Sequence, residues 1–338
     1  MFDNECQIIV EIAQSHNGDI GEAERYIDAA AAAGAHSVKF QTHIAAEEST
    51  IHEPWRVQFS TQDKSRFDYW KRMEFTVEEW RALRALTHEL GMKFISSPFS
   101  DKSVELLDSI GADALKVASG ELNNPYLIRA IAETGLPVLV SSGMSYMAEL
   151  DEVADVLRRA GVEFVIMQCT TMYPTPPEKV GVELLTLYAE RFECPVGLSD
   201  HSGTIYPSLV ATSLGAAALE VHVTFSREEA GPDVSSSLTF DEVRQLAAGV
   251  RFIETMRANP VDKDAMAEEL NTMRNLFTKS VVAKGPIAAG TVLSEELLTV
   301  KKPGSGIPAA QLPTLIGRKV TQDLDADALI DENDLCVP

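Results

Sequence analysis

Two histidines occupy matching places in the chain. His201 follows the apolar run Pro195-Val-Gly-Leu198 in Ser199-Asp200-His201, and His222 closes the run Ala218-Leu-Glu-Val-His222. The helix-like segment from Tyr206 to Leu214 lies between them, so the unit reads strand–helix–strand and puts both imidazoles on one rim of a parallel sheet. Two neutral imidazoles with carboxylates beside them suit a divalent transition metal and leave coordination positions open to substrate. Either histidine alone is as easily a packed or capped one. The pair at equivalent strand ends favours the metal.

A second set points to an anion. Lys39, Lys116, Ser97, Ser119, Ser141 and Ser199 stand at the ends of six apolar runs, and two ammonium groups with four hydroxyls converging on one point would clamp a phosphate or carboxylate by charge-assisted hydrogen bonds. A lysine inside a strand is costly unless its charge is paired. Glu11, at the end of the first run, has two readings: a general base that steers water, or the ion-pair partner of Lys39 or Lys116. Asp233, after a Gly-Pro turn, is placed to reach substrate hydroxyls.

The elements that must position these groups alternate. Short β-branched runs at Ile8–Glu11, His36–Phe40, Lys93–Ser96, Ala114–Val117, Pro137–Val140, Phe164–Met167, Pro195–Leu198 and Ala218–His222 are each followed by an amphipathic stretch, and glycines at 34, 91, 111, 135 and 161 end several of these as helices. Eight such repeats in about 250 residues predict a (β/α)8 TIM barrel, with chemistry at the C-terminal ends of the strands. Polar residues collect there, among them Gln41, Ser96, Glu121, Ser142, Gln168, Thr170 and Glu220. A doubly wound open sheet would gather them at one switch point instead.

The connection from Thr42 to Phe75, with Trp55, Arg56, Phe59, Arg66, Tyr69 and Trp70, is long enough to be a lid or binding loop, or else a subunit contact. After residue 258 the pattern changes. Residues 259–276 read as a polar linker with some helix, and 277–338 as a small β-rich module near the size limit for folding alone.

Composition narrows the function classes. A formal net charge of −22 over 338 residues argues against a nucleic-acid surface. The four cysteines lack C-x-x-C spacing, which suits reduced thiols and a cytoplasmic protein. No basic leader and no apolar run of ~20 residues is present, so neither a signal peptide nor a membrane span is expected.

The ordered runs Glu11-Ile-Ala-Gln-Ser-His16-Asn17-Gly18, Val38-Lys39-Phe40-Gln41, Ser97-Pro98-Phe99, Lys116-Val-Ala-Ser119-Gly120-Glu121, Ser141-Ser-Gly-Met144, Gln168-Cys-Thr-Thr-Met-Tyr173-Pro174, Ser199-Asp200-His201 and Gly231-Pro232-Asp233 resemble the sialic acid synthase family. That family includes N-acetylneuraminate, legionaminate and pseudaminate synthases. The tail from Phe277 resembles its C-terminal antifreeze-like, or SAF, domain. The resemblance implies a metal-dependent condensation of phosphoenolpyruvate with the open-chain aldehyde of an N-acetylated hexosamine, N-acetylmannosamine first among them, with release of phosphate by C–O cleavage. By the same resemblance His201 and His222 bind Mn2+, or Mg2+ or Co2+ in its place. Lys39, Ser97, Lys116, Ser119, Ser141 and Ser199 hold phosphoenolpyruvate, Glu11 manages water and protons at the former enol carbon, and Gln41, Tyr173 and Asp233 bind the sugar. Glu121 and Lys302 join the substrate-binding set. A domain-swapped homodimer is implied, the SAF domain closing the partner's barrel.

Three positions depart from the family pattern. Val221 stands where a lysine is usual, Val234 replaces a histidine after Gly231-Pro232-Asp233, and Lys302 replaces an arginine in Lys301-Lys302-Pro303-Gly304. Lysine is a point donor where arginine is a planar fork. Placed on the acceptor side, these changes bear on the identity of the sugar. The competing readings are a heptulosonate- or octulosonate-phosphate synthase, and a non-catalytic sugar-binding protein that keeps the SAF module.

Overall fold

A computed structural model describes residues 5–55, 60 and 62–336, so Arg56 and Phe59 of the long connection lie outside the described residues. The chain divides into two compact units after Ala258.

In the first unit eight strands pair in parallel and close: β1 (Gln7–Glu11), β2 (Ser37–Thr42), β3 (Lys93–Pro98), β4 (Ala114–Val117), β5 (Val138–Ser141), β6 (Phe164–Cys169), β7 (Val196–Asp200) and β8 (Ala218–Thr224) run in sequence order, and β8 returns to β1. This is the (β/α)8 barrel. The outer helices begin and end where local chemistry dictates. Asp19 caps Ile20–Ala33 by accepting from the Glu22 amide, and Gly34 ends that helix in the left-handed conformation. Thr76 and Glu79 form a reciprocal capping box on Val77–Glu89, which satisfies two otherwise orphaned donors.

Alternation along each strand does the sorting. Ile8 and Val10, Val38 and Phe40, Leu115 and Val117, Val138 and Val140, and Leu219 and Val221 belong to the main core packed under the helices. The intervening positions face the lumen. Low in the barrel these are apolar: Ile9, Ile95, Ala114, Leu139, Val165, Met167 and Ala218 form a separate plug. One pleat higher on the same strands they become Glu11, Ser97, Lys116, Ser141 and Glu220. Gly197 has no room for a side chain here, because a Cβ would lie 2.4 Å from both the Ala218 carbonyl oxygen and the Met167 sulfur.

The same alternation corrects the reading of Val221. It is buried in the layer between sheet and helices, so a lysine absent there removes nothing from the barrel mouth.

The second unit has its own core, including Val281, Leu293, Leu298, Val320 and Ile330, around an antiparallel pair, Ser280–Ala283 with Leu298–Lys301. The stretch expected as a linker forms two short helices, Lys263–Glu269 and Asn271–Phe277. All four thiols are free; Cys6 and Cys169 are buried and Cys336 is exposed. Among the described residues no helix is long and apolar enough to cross a membrane.

Candidate active site

The C-terminal strand ends enclose a cavity of about 310 Å³. Glu11, Lys39, Gln41, Ser97, Lys116, Ser119, Ser141, Tyr173, Ser199, His201, His222 and Asp233 all line it. Glu121 does not: it sits on the turn after β4, where its carboxylate accepts from the Asn124 amide at 3.0 Å. Lys302 belongs to the second unit, exposed, with its ammonium 5.1 Å from the centroid of the Phe277 ring. Val234 stands beside Asp233 on the wall of a neighbouring cavity.

At the floor of the cup two lysines meet two carboxylates. Lys39 is paired with Glu11 and stands 3.8 Å from Glu220. Lys116 donates to Glu220 Oε1 at 2.5 Å and to Ser199 Oγ at 3.1 Å. Sequence reasoning gave Glu220 no role. The signal was its spacing: two residues before His222, it shares that residue's inward face.

The two carboxylates have been pushed apart. Burial raises the Glu11 carboxyl against the opposing pull of Lys39. Burial acts the same way on Glu220, but Lys116 and Lys39 outweigh it and hold that group down at about 2. Two acids in one site with environments of opposite effect divide into a proton-moving group and a fixed anion. The environment of Glu11 suits the first and that of Glu220 the second.

The serines face the ammonium groups. Ser119 Oγ and Ser141 Oγ are 3.0 Å apart, and Gly143 permits that approach, since a Cβ there would fall 2.4 Å from Ser119 Oγ and 2.3 Å from Thr171 Oγ1. Thr171 Oγ1 and Glu220 Oε2, both on cavity-lining residues, are buried with no hydrogen-bond partner among the described residues. Such groups are costly unless something binds them.

Higher on the wall the rings of His201 and His222 lie 5.2 Å apart, with Tyr173 stacked on His201 at 4.2 Å. His201 Nδ1 is 2.9 Å from the Thr170 carbonyl and 4.0 Å from the Cys169 sulfur. A carbonyl only accepts, so Nδ1 carries the proton and Nε2 keeps its lone pair. Burial, the largest cause, holds the His222 imidazole well below its ordinary value and so neutral. Asp233 approaches its Nδ1 at 3.9 Å. Among the described residues no three His, Cys, Asp or Glu side chains gather closely enough to cage a metal. His201 and His222 are the two imidazoles this wall could offer an ion, and substrate and water would have to supply its other ligands.

The connection after β2 forms one side of the mouth, where Trp55, Arg66, Tyr69 and Trp70 line the cavity. Arg72 fastens it, donating to Asp63 at 2.8 and 3.0 Å and to the Asn17 carbonyl at 2.8 Å. Those bonds hold the Asp63 carboxyl below its ordinary value. Because the folded value is the depressed one, the clasp is fully present above the unfolded value of about 3.9 and is lost as pH falls through the folded one. Asp63→Asn at pH 7 is thus expected to give the red-shifted emission of Trp55 and Trp70 that the unaltered protein shows only in acid. Unchanged emission would dismiss the clasp.

Comparison with known proteins gives a consistent picture. A model described as the NeuB family matches residues 26–262, and one described as the SAF domain matches residues 278–335. The chain is 32% identical to N,N'-diacetyllegionaminic acid synthase of Campylobacter jejuni, over 96% of this chain and 98% of that protein. It is 34% identical to N-acetylneuraminate-9-phosphate synthase of Homo sapiens, over 97% of this chain and 92% of that protein. Among solved structures it resembles the N-acetylneuraminic acid (sialic acid) synthetase of Leptospira borgpetersenii, with a TM-score of 0.71 and 27% identity over 80% of this chain and 92% of that one.

Proposed function

The chain belongs to the NeuB family, and from that premise we propose that it is a nonulosonic acid synthase, joining phosphoenolpyruvate to the open-chain aldehyde of an N-acetylated hexosamine with release of phosphate. The observation that carries this reading is the meeting of Lys39, Lys116, four serine hydroxyls and two imidazoles in one cup.

In this reading phosphoenolpyruvate lies on the floor, its anionic groups held by Lys39, Lys116, Ser97, Ser119, Ser141 and Ser199. The electron pair of its enol double bond forms the new carbon–carbon bond to the aldehyde carbon. Water then adds at the former enol carbon, the bond from that carbon to the phosphate oxygen breaks, and phosphate leaves. Glu11, with its raised affinity for a proton, takes one from the water and gives it to the departing phosphate, and the second proton of that water, freed as the ketone forms, goes to the alkoxide left on the former aldehyde carbon. Glu220 stays anionic as counter-ion to both lysines. Gln41, Tyr173 and Asp233 orient the sugar. Held by His201 and His222, Mn2+, or Mg2+ or Co2+, would polarise the aldehyde oxygen on which charge builds.

N-Acetylmannosamine is the acceptor we propose; diacetamido sugars of the legionaminate or pseudaminate type are the alternative. A phosphorylated acceptor fits less well. Of the cations on the described cavity wall, Lys39 and Lys116 are matched by Glu11 and Glu220, and Arg66 is paired with Glu53 at 2.9 Å. A second copy completes the assembly in the proposed homodimer, in keeping with Met144 and Tyr146 standing exposed on the loop after β5; light scattering that finds only monomer would remove that part.

A panel of acceptor sugars with phosphoenolpyruvate and Mn2+ tests the reading. The expected result is phosphate together with a nine-carbon keto acid of the matching mass, abolished by EDTA and restored by Mn2+. Sugar binding without phosphate release would move the protein to the non-catalytic class.

A further inference from the structure

Behind the cup a line of side chains hands hydrogen bonds from Glu48 to Glu11. Glu48 Oε1 lies 2.6 Å from His43 Nδ1, and His43 Nε2 lies 3.0 Å from the Gln14 amide nitrogen. That nitrogen donates to Gln41 Oε1 at 2.7 Å, and Gln41 Nε2 donates to Glu11 Oε1 at 2.7 Å. The other oxygen of Glu11 is taken by Lys39.

With the Glu11 carboxylate ionised, one arrangement of protons satisfies the whole line. An ionised carboxylate only accepts, so His43 carries its proton on Nδ1. Its Nε2 must then accept, which turns the Gln14 NH2 toward it. The remaining hydrogen of that NH2 faces the Gln41 carbonyl, so the Gln41 NH2 faces Glu11. In the opposite tautomer Nε2–H would demand the Gln14 oxygen, Gln41 would lose its donor, and its carbonyl would swing toward the Glu11 carboxylate.

The ring cannot evade this by turning aside. It is clamped between Trp70, stacked at 4.0 Å, and Phe99, stacked at 4.6 Å, and its side chain is 3% exposed.

We infer that His43, held in one tautomer by Glu48, is a positioning residue that orients the Glu11 carboxylate through Gln14 and Gln41. It touches neither reactant. The inference rests on the reaction proposed above, in which Glu11 moves the proton.

Three measurements test it. His43→Phe keeps the stacking but removes both nitrogens. It is expected to lower kcat roughly tenfold, in the range seen when an orienting hydrogen bond is removed, while KM for phosphoenolpyruvate stays within about twofold because the anion cluster is untouched. Glu48→Gln, at the far end of the line, should give a smaller fall of the same kind and covers the case in which His43→Phe does not fold. If the line acts as a unit, adding Gln14→Leu to His43→Phe costs little more than His43→Phe alone. Unchanged kcat in both single variants, or losses that multiply in the double variant, would overturn the assignment.

The third measurement does not depend on turnover. In the imidazole nitrogen-15 spectrum of the full chain, His43 should carry a proton on Nδ1 and a lone pair on Nε2, and a proton on Nε2 would end the proposal. If the unaltered enzyme releases no phosphate with any sugar while His43 shows the expected tautomer, the reaction is wrong and the hydrogen-bonded line stands.

Discussion

Lys116→Met is expected to cut phosphate release from phosphoenolpyruvate by roughly a hundredfold to a thousandfold, the cost of losing one well-aimed donor to a developing or bound anion. A second effect accompanies it. Lys116 is the partner of Glu220 at 2.5 Å, with both side chains almost wholly buried, and a buried charge stripped of its partner costs about 3–5 kcal/mol. Lys39, 3.8 Å from the same carboxylate, recovers part of that. Stability and chemistry are then separable by adding Glu220→Gln. The double variant should regain most of the lost urea stability and none of the turnover. The pH dependence follows from the same pair. Glu220 is held at about 2, so its pairing stabilises the fold above the ordinary carboxylate range and is lost only as pH approaches that value. In Lys116→Met the carboxyl protonates at higher pH, so the stability deficit is largest near neutrality and shrinks on acidification. A double variant that recovers turnover would show that Lys116 serves only to neutralise Glu220.

The second large effect is at His222. His222→Ala is expected to leave the barrel folded, since the ring borders an open cup that water can refill, and to lose both bound Mn2+ and turnover. If the ion supplies several kcal/mol to the charge forming on the aldehyde oxygen, kcat falls at least about a hundredfold. Metal content measured on the purified variant, set beside the rate, separates this from a packing defect. Full metal occupancy with undiminished turnover would remove His222 from the site.

Much of this architecture was legible in the chain. Helices Ile20–Ala33 and Met147–Ala160 end where expected because glycines 34 and 161 cap them, and the eight strands follow the β-branched runs. The cup was legible because polar residues recur at strand ends. What could not be read was which way each of them turns. Ser96 and Gln168 stand at strand ends as plainly as Ser97 and Ser141, yet Ser96 bonds to Thr42 and Gln168 to the Val180 carbonyl, outside the lumen. A one-residue difference in phase separates the two groups, and boundaries drawn from runs of apolar residues are no finer than that. Val221 was misread for the same reason, and Glu220, placed at its strand end, was given no role. The line through His43 was hidden differently: its members come from β1, β2 and the segments that follow each of them, and only the pairing of those two strands brings them together.

The apolar plug beneath Glu11 and Lys116 has one more implication. It closes the floor of the well, and Glu220 sits one pleat deeper than His222. In the reaction proposed above, phosphoenolpyruvate at the lysines would then have to enter before the sugar covers it, and the phosphate would have to wait for the larger product to clear the shaft. The depth of the vessel would set the order of events.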